Sequence, residues 1–377
     1  MTTHRTNGLD TLRALAILLV FVYHYKVFVS GRSTFGWASD FGWVGVDLFF
    51  VLSGYLMANQ IMAAFKQQGR FHLGYFYARR AMRTWPAFWV VLAGYFLFPS
   101  LMGGREPPAL WRFLTFTQNY QLQPGTAFSH AWSLCIEEQF YLVLPLLALV
   151  WHASGGHRYR AWLMLAALTG VGVIARYVLW REYGLEPSGQ IQGYHPNIYY
   201  ATLCRFDEFL PGVAVALLKH RHPELWQKIM QRGKALFVVA LVVVCLALYG
   251  AYSQYYRNGY GYLPFMTIFG YTAIALAFAV AVMAALSPSS PLHRLRIPGA
   301  YHLAIWSYSI YLSHKAVAFI LNGQLRAASA PSWLIIVLVS IACLIVGALL
   351  YRCVEVPFMS LRDKQFPSLV SPAKFAP

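Results

Sequence analysis

Charge is scarce in this chain, and acidic charge most of all. Charged residues make up 11% of its 377 positions, with 13 Asp and Glu against 30 Lys and Arg. Soluble globular domains carry about 25%, so the shortage excludes an ordinary water-facing exterior. Cysteine is also sparse. Cys135, Cys204, Cys245, Cys343 and Cys353 form no CxxC pair and sit in or beside apolar runs. Neither a disulfide framework nor a zinc site is indicated, and the five read as small buried apolar residues. HExxH, Walker, GxSxG and dinucleotide glycine patterns are all missing, and no metal is expected. No internal repeat, low-complexity tract or separate soluble domain breaks the pattern. The apolar stretch at 14–22 lacks a following small-residue cleavage site and is interrupted by Arg13, His24 and Lys26. It reads as a retained first membrane helix rather than a signal peptide.

What the chain does have is long apolar runs. Hydrophobic residues are 58% of the sequence. About 20 mostly apolar residues cross a bilayer as a helix. The runs at 9–29, 41–64, 85–102, 134–152, 161–180, 202–219, 235–252, 263–286, 303–322 and 333–353 qualify. The expected fold is all-α, a polytopic integral membrane protein with about ten transmembrane helices. The fourth and sixth runs are the least apolar, with Glu137, Glu138, Asp207 and Glu208 near their starts. The membrane domain is taken as 1–360, followed by a short cytoplasmic tail, 361–377, that carries three prolines after Arg362.

An even number of spans puts both termini on one side, and basic loops choose the side. The loop at 65–84 holds Lys66, Arg70, Arg79, Arg80 and Arg83, and that at 219–234 holds Lys219, Arg221, Lys228, Arg232 and Lys234. Arg158, Arg160, Arg294 and Arg296 fall on the same side, while the opposite loops carry fewer basic residues. Both termini are therefore expected in the cytoplasm, with the chain in the inner (cytoplasmic) membrane. The net charge of +17 is absorbed by these loops. The lipid bilayer is the expected partner and nucleic acid is not. On the far side, the segments at 103–131 and 181–201 are rich in Pro, Gly, Gln, Asn and aromatics. Such residues suit a sugar-binding surface and equally suit connecting loops with interfacial Tyr and Trp.

Ionisable residues inside membrane helices are costly and usually functional. Arg13 and His24 are eleven residues apart, about 20° apart around a helix and about 16 Å along it. One cavity open to the cytoplasm can contain both. A cofactor with phosphates at the surface and a reactive end on a long arm fits it, and coenzyme A is such a molecule. Arginine binds phosphate through bidentate hydrogen bonds, and a neutral histidine suits the reacting end as a general base. Alternatively, Arg13 snorkels to the interface and His24 bonds a neighbouring helix. Arg80 and Arg83 share a helix face before Trp85-Pro86, as phosphate ligands or as a positive-inside anchor. Glu137 and Glu138 point about 100° apart, too divergent for an acid–base pair, but one of them can hold a histidine or arginine. Weaker candidates are Arg205 and Asp207, the polar stripe of Ser307, Tyr308, Ser309, Tyr311 and His314, and Glu355.

Taken in order, these segments resemble the membrane acyltransferase-3 family. Gly8-Leu-Asp10-Thr-Leu-Arg13 resembles its opening signature, and Arg13 with His24 matches its R-x10-H motif. Phe49-Phe-Val-Leu-Ser53-Gly54-Tyr55-Leu resembles FFVxSGFL, Arg80-Ala-Met-Arg83 matches RxxR, and Trp132-Ser133-Leu through Glu137-Glu138-Gln-Phe-Tyr141 resembles WSLxVEEQFY. Arg205-Phe-Asp207, Tyr308-Ser309-Ile-Tyr311-Leu-x-His314 and Tyr351-Arg352-Cys-Val-Glu355-x-Pro357-Phe358 complete the order. The resemblance covers roughly residues 8–360. Glu208 departs from it, standing where the family often has glycine, and Cys135 falls within the WSL block.

The resemblance implies O-acylation, usually O-acetylation, of a carbohydrate or other hydroxyl acceptor, with acyl-CoA (acetyl-CoA by default) as donor substrate. Catalytic roles then fall to His24 with Glu137 or Glu138, and donor binding to Arg13, Arg80 and Arg83. Asp10, Ser133, Asp207, Tyr308, His314 and Glu355 support them. No SGNH-type esterase domain follows residue 360, so the membrane part or a separate partner is expected to complete the reaction. Two rival readings stand beside this one: an exporter of a sugar or acylated product, and a scaffold among polysaccharide-assembly proteins.

Overall fold

Apolar runs of bilayer length, broken by glycine, proline and basic loops, dictate a bundle of long helices. The computed structural model describes residues 6–68, 71–185 and 191–367. Arg70, residues 186–190 of the second far-side segment and the end of the tail lie outside them. Ten main helices follow in order: α1 Asn7–Tyr25, α2 Gly45–Gln68, α3 Leu73–Leu97, α4 Trp132–Ala153, α5 Arg158–Tyr183, α6 Leu210–Arg221, α7 Gly233–Ser253, α8 Tyr271–Leu286, α9 Ala300–Ala327 and α10 Ser332–Leu350. One two-stranded hairpin, Tyr256–Arg257 with Gly261–Tyr262, joins α7 to α8.

The chain is a multi-pass membrane protein. Among the described residues, seven helical stretches are long and apolar enough to cross a membrane. They correspond to α1, α2, α4, α5, α7, α8 and α10. The other three expected spans are helical but fail that measure, each for a visible reason. Helix α3 starts well before the expected residue 85, so Arg79, Arg80 and Arg83 lie inside it and Pro86 sits in its interior. The expected span at 202–219 is broken into Thr202–Arg205, a 3-10 turn Phe206–Phe209 and the 12-residue α6. Helix α9 buries Ser307, Ser309, Ser313, His314 and Lys315, so its polarity faces protein rather than lipid.

Close backbone contact sets the central helices. A Cβ on Gly54 would lie 2.1 Å from the Phe209 carbonyl oxygen, and one on Gly212 2.1 Å from that of Val51. Helices α2 and α6 therefore meet backbone to backbone, as small residues allow inside a membrane. The segment at 103–131 is no plain connecting loop. It buries Phe113, Phe116, Leu122 and Phe128 in the main core and delivers a 3-10 turn, Ser129–Ala131, directly into α4.

A network of buried charges ties α2, α5 and α8 to the segment Thr202–Phe209 that leads into α6. Arg176 of α5 donates to both oxygens of Asp207, at 2.6 and 2.9 Å, and to Thr272 Oγ1 of α8. Arg205 pairs with Glu208 and, at 3.4 Å, with Asp47 of α2. All five charged groups are fully buried. Charges taken out of water persist only when paired, and each of the five has an opposite charge here, although Asp47 Oδ1 accepts no hydrogen bond among the described residues. Glu208, the departure from the family pattern, is one of the partners.

Candidate functional site

Five helices converge on one cavity of about 100 Å³. Its lining includes Arg13 of α1, Ser53 of α2, Arg80 and Arg83 of α3, Ser133 and Glu137 of α4, and Tyr308 and Tyr311 of α9. The three arginines singled out in the sequence thus face a single space, although 70 residues separate Arg13 from Arg83. Three guanidinium groups facing one cavity with few carboxylates have the chemistry to hold an anion.

Each polar wall has its own support. The Arg80 guanidinium lies 3.8 Å over the Tyr141 ring and 3.7 Å from Glu137. Glu137 also accepts hydrogen bonds from Ser53 Oγ and Tyr141 OH. Glu138 turns to α3 instead, accepting from Thr84 Oγ1 at 2.9 Å and Trp85 Nε1 at 3.2 Å. The two carboxylates diverge, as adjacent helical residues must. Tyr308 OH donates to Thr84 O at 2.8 Å. Arg83 reaches Met359 Sδ at 3.3 Å. Glu355, in the π-helical segment Tyr351–Glu355, accepts from Ser309 Oγ at 2.5 Å.

Tyr311 belongs to the lining of this space. Its hydroxyl donates to His130 O at 2.5 Å and accepts from Ser133 Oγ at 2.6 Å. Beyond it lies a cluster of three histidines. His24 Nδ1 is 2.7 Å from His314 Nε2. The His130 ring stands edge-on to both, 6.2 Å from His24 and 5.2 Å from His314 between centroids. Buried Lys315 donates to Thr126 O at 3.0 Å and Ser129 Oγ at 3.1 Å.

Two expectations are corrected by this geometry. The cavity lining holds Arg13 and Tyr311 but not His24, and the Tyr311 ring lies 5.9 Å from that of His314. Neither Glu137 nor Glu138 holds the His24 imidazole, since both project towards α2 and α3, and His314 takes that place. Asp207 lies outside the cavity lining, in the ion network, and Asp10 is buried in the first turn of α1. An acid there favours the positive end of the helix dipole.

His130 stood at the head of the Trp132–Tyr141 block without a role assigned to it, and Lys315, Arg176 and Asp47 were not singled out by the sequence motifs. Each is an ionisable residue in or beside an apolar run, which is the signal that marks a costly and therefore retained group. A five-residue π segment, Lys26–Ser30, also begins two residues after His24, and such widened turns are frequent at functional sites.

Comparison with known proteins gives a consistent picture. A family model described as an acyltransferase domain matches residues 6–352. The peptidoglycan O-acetyltransferase OatA of Listeria monocytogenes is 27% identical over 95% of this chain and 58% of its own length. A putative peptidoglycan O-acetyltransferase of Bacillus subtilis, YrhL, is 28% identical over 95% of this chain and 56% of its own. A putative O-acetyltransferase of Staphylococcus aureus is 26% identical over 93% and 57%. The chain thus spans a little over half the length of these curated relatives. No solved structure matches it.

Proposed function

Because the chain belongs to the acyltransferase family matched over residues 6–352, we propose that it is a membrane O-acetyltransferase. Its donor is acetyl-CoA from the cytoplasm and its acceptor is a hydroxyl group of a glycan. The observation that carries this reading is the cavity lined by Arg13, Arg80 and Arg83, with the His24–His314 pair next to its Tyr311 wall. The phosphates of the donor bind the three arginines, and the pantetheine arm runs along α1 past Ser133 and Tyr311. His24 is the general base. The acceptor oxygen attacks the thioester carbonyl, a C–O bond forms and the C–S bond breaks. The hydroxyl proton passes to His24 and from there to the leaving thiolate.

The acceptor class draws support from the names of the relatives, two of which specify peptidoglycan. Orientation follows from basic loops such as that around Arg221 and Lys228, which put both termini in the cytoplasm and the helices in the inner membrane. The reading is tested with purified protein in nanodiscs, given acetyl-CoA and soluble peptidoglycan fragments. Expected are free CoA thiol and acetylated glycan in equal amounts. Absence of thiol release with every glycan offered, together with donor-independent movement of sugar across proteoliposomes, points to the exporter instead.

A further inference from the structure

The imidazoles of His24 and His314 have ring planes only 14° apart and centroids 4.9 Å apart. Their nearest nitrogens, His24 Nδ1 and His314 Nε2, are 2.7 Å apart. That contact is too short for stacked rings. The two rings meet edge to edge, nearly in one plane, and share one proton along the line of the lone pair.

The other nitrogen of His314 decides whose proton it is. His314 Nδ1 lies 3.0 Å from Ile310 O and 2.8 Å from Tyr311 O, on its own helix. Carbonyl oxygens only accept, so Nδ1 of His314 carries a hydrogen. In a neutral imidazole the second nitrogen then has the lone pair. That lone pair faces His24 Nδ1, which must be the donor. His24 Nε2 is left bare, and bare is the state a base requires.

The other ionisable groups around the pair do not compete for this bond. His130 Nε2 faces Leu312 O at 3.3 Å, and Lys315 is turned to Thr126 and Ser129. His314 itself is 2% exposed and is held by the preceding turn of α9, so its orientation is imposed by the helix. His24, at the end of α1, takes its orientation from His314.

We infer that His314 is a positioning residue that fixes His24 as the Nδ1–H tautomer and leaves Nε2 to receive the acceptor's proton. The inference rests on His24 being the base. When Nε2 gains that proton, the Nδ1–H bond to His314 becomes charge-assisted and shorter. A neutral ring thus fills the role for which carboxylates are commonly used.

Magic-angle-spinning NMR on the full chain in nanodiscs, with histidine labelled with nitrogen-15, reads the tautomer directly. His24 is assigned by loss of its signals in His24→Ala. The expected spectrum has a protonated Nδ1 and an unprotonated Nε2 at His24. A wild-type His24 protonated at Nε2 overturns the inference whatever the variants do. Kinetics give the second arm. His314→Leu should lose about 10²–10⁴-fold in kcat with the donor KM unchanged. His314→Gln, whose amide oxygen can accept from Nδ1–H, should recover at least about tenfold of that loss. Equal activity of the Leu variant and wild type, or of the Leu and Gln variants, overturns it. If His24→Ala is itself fully active, it is the base reading that fails. If His24→Ala is inactive while His314→Leu matches wild type, only the positioning role fails.

Discussion

Arg80 and Glu137 face each other at 3.7 Å, with the Arg80 guanidinium over the Tyr141 ring at 3.8 Å. The arginine is therefore oriented before any ligand arrives, whereas Arg83 on the same helix hydrogen-bonds, among the described residues, only the Met359 sulfur. Arg83 has more donors left for an anion. Arg83→Ala should weaken binding of the acyl donor about tenfold or more, the worth of one charge-assisted hydrogen bond. Calorimetric titration of a non-hydrolysable acetyl-CoA analogue measures it. Unchanged affinity would make Arg83 a membrane-surface anchor.

Tyr311 links Ser133 to the His130 carbonyl and lines the cavity beside His314. Tyr311→Phe removes both hydrogen bonds and frees the ring. The expected result is a loss in kcat with donor affinity within about threefold of wild type, since the hydroxyl bonds Ser133 and the His130 carbonyl rather than an arginine. A change confined to donor affinity contradicts this role.

The Arg176–Asp207 pair is structural. Arg176→Met leaves the Asp207 carboxylate buried without its main partner, at a cost of about 3–5 kcal/mol. The double variant Arg176→Met, Asp207→Leu should recover part of that loss. Thermal unfolding in detergent, followed by size-exclusion fluorescence, is the measurement. A single variant as stable as wild type contradicts the network.

Gly54 and Gly74 make a matched pair. A Cβ on Gly54 meets the Phe209 carbonyl oxygen at 2.1 Å, whereas one on Gly74 meets nothing within 4 Å. Gly54→Ala should force α2 from α6 and lower the melting temperature. Gly74→Ala should be neutral or stabilising by up to about 1 kcal/mol, the helix propensity difference. Similar behaviour of the two variants rejects backbone contact as the reason for glycine in the Ser53-Gly54 motif.

Much of the architecture was legible in the chain, because membrane helices announce themselves by length and apolarity. The ten expected runs are largely helical, and seven of them, among the described residues, are long and apolar enough to cross a membrane. What hid were the places where tertiary packing overrides local pattern. Pro86 reads as a helix start yet lies inside α3. The 202–219 run looks continuous, but the buried Arg205, Asp207 and Glu208 break it. The cavity was half legible: Arg13, Arg80 and Arg83 carry recognisable spacings, and they do share a space. The partner of His24 was not legible, because 290 residues separate it from His314 and no local periodicity reports a contact between α1 and α9. For the same reason a nearby carboxylate looked the better candidate.

The central claim is that His24 takes the proton of the acceptor hydroxyl. The most direct measurement compares wild type with His24→Ala, both reconstituted in nanodiscs at equal folded amounts, and follows acetyl-CoA-dependent acetylation of the glycan by mass spectrometry. His24→Ala is expected still to bind the donor through Arg13, Arg80 and Arg83 but to transfer at least about 10²-fold more slowly. Transfer at the wild-type rate by His24→Ala would contradict it.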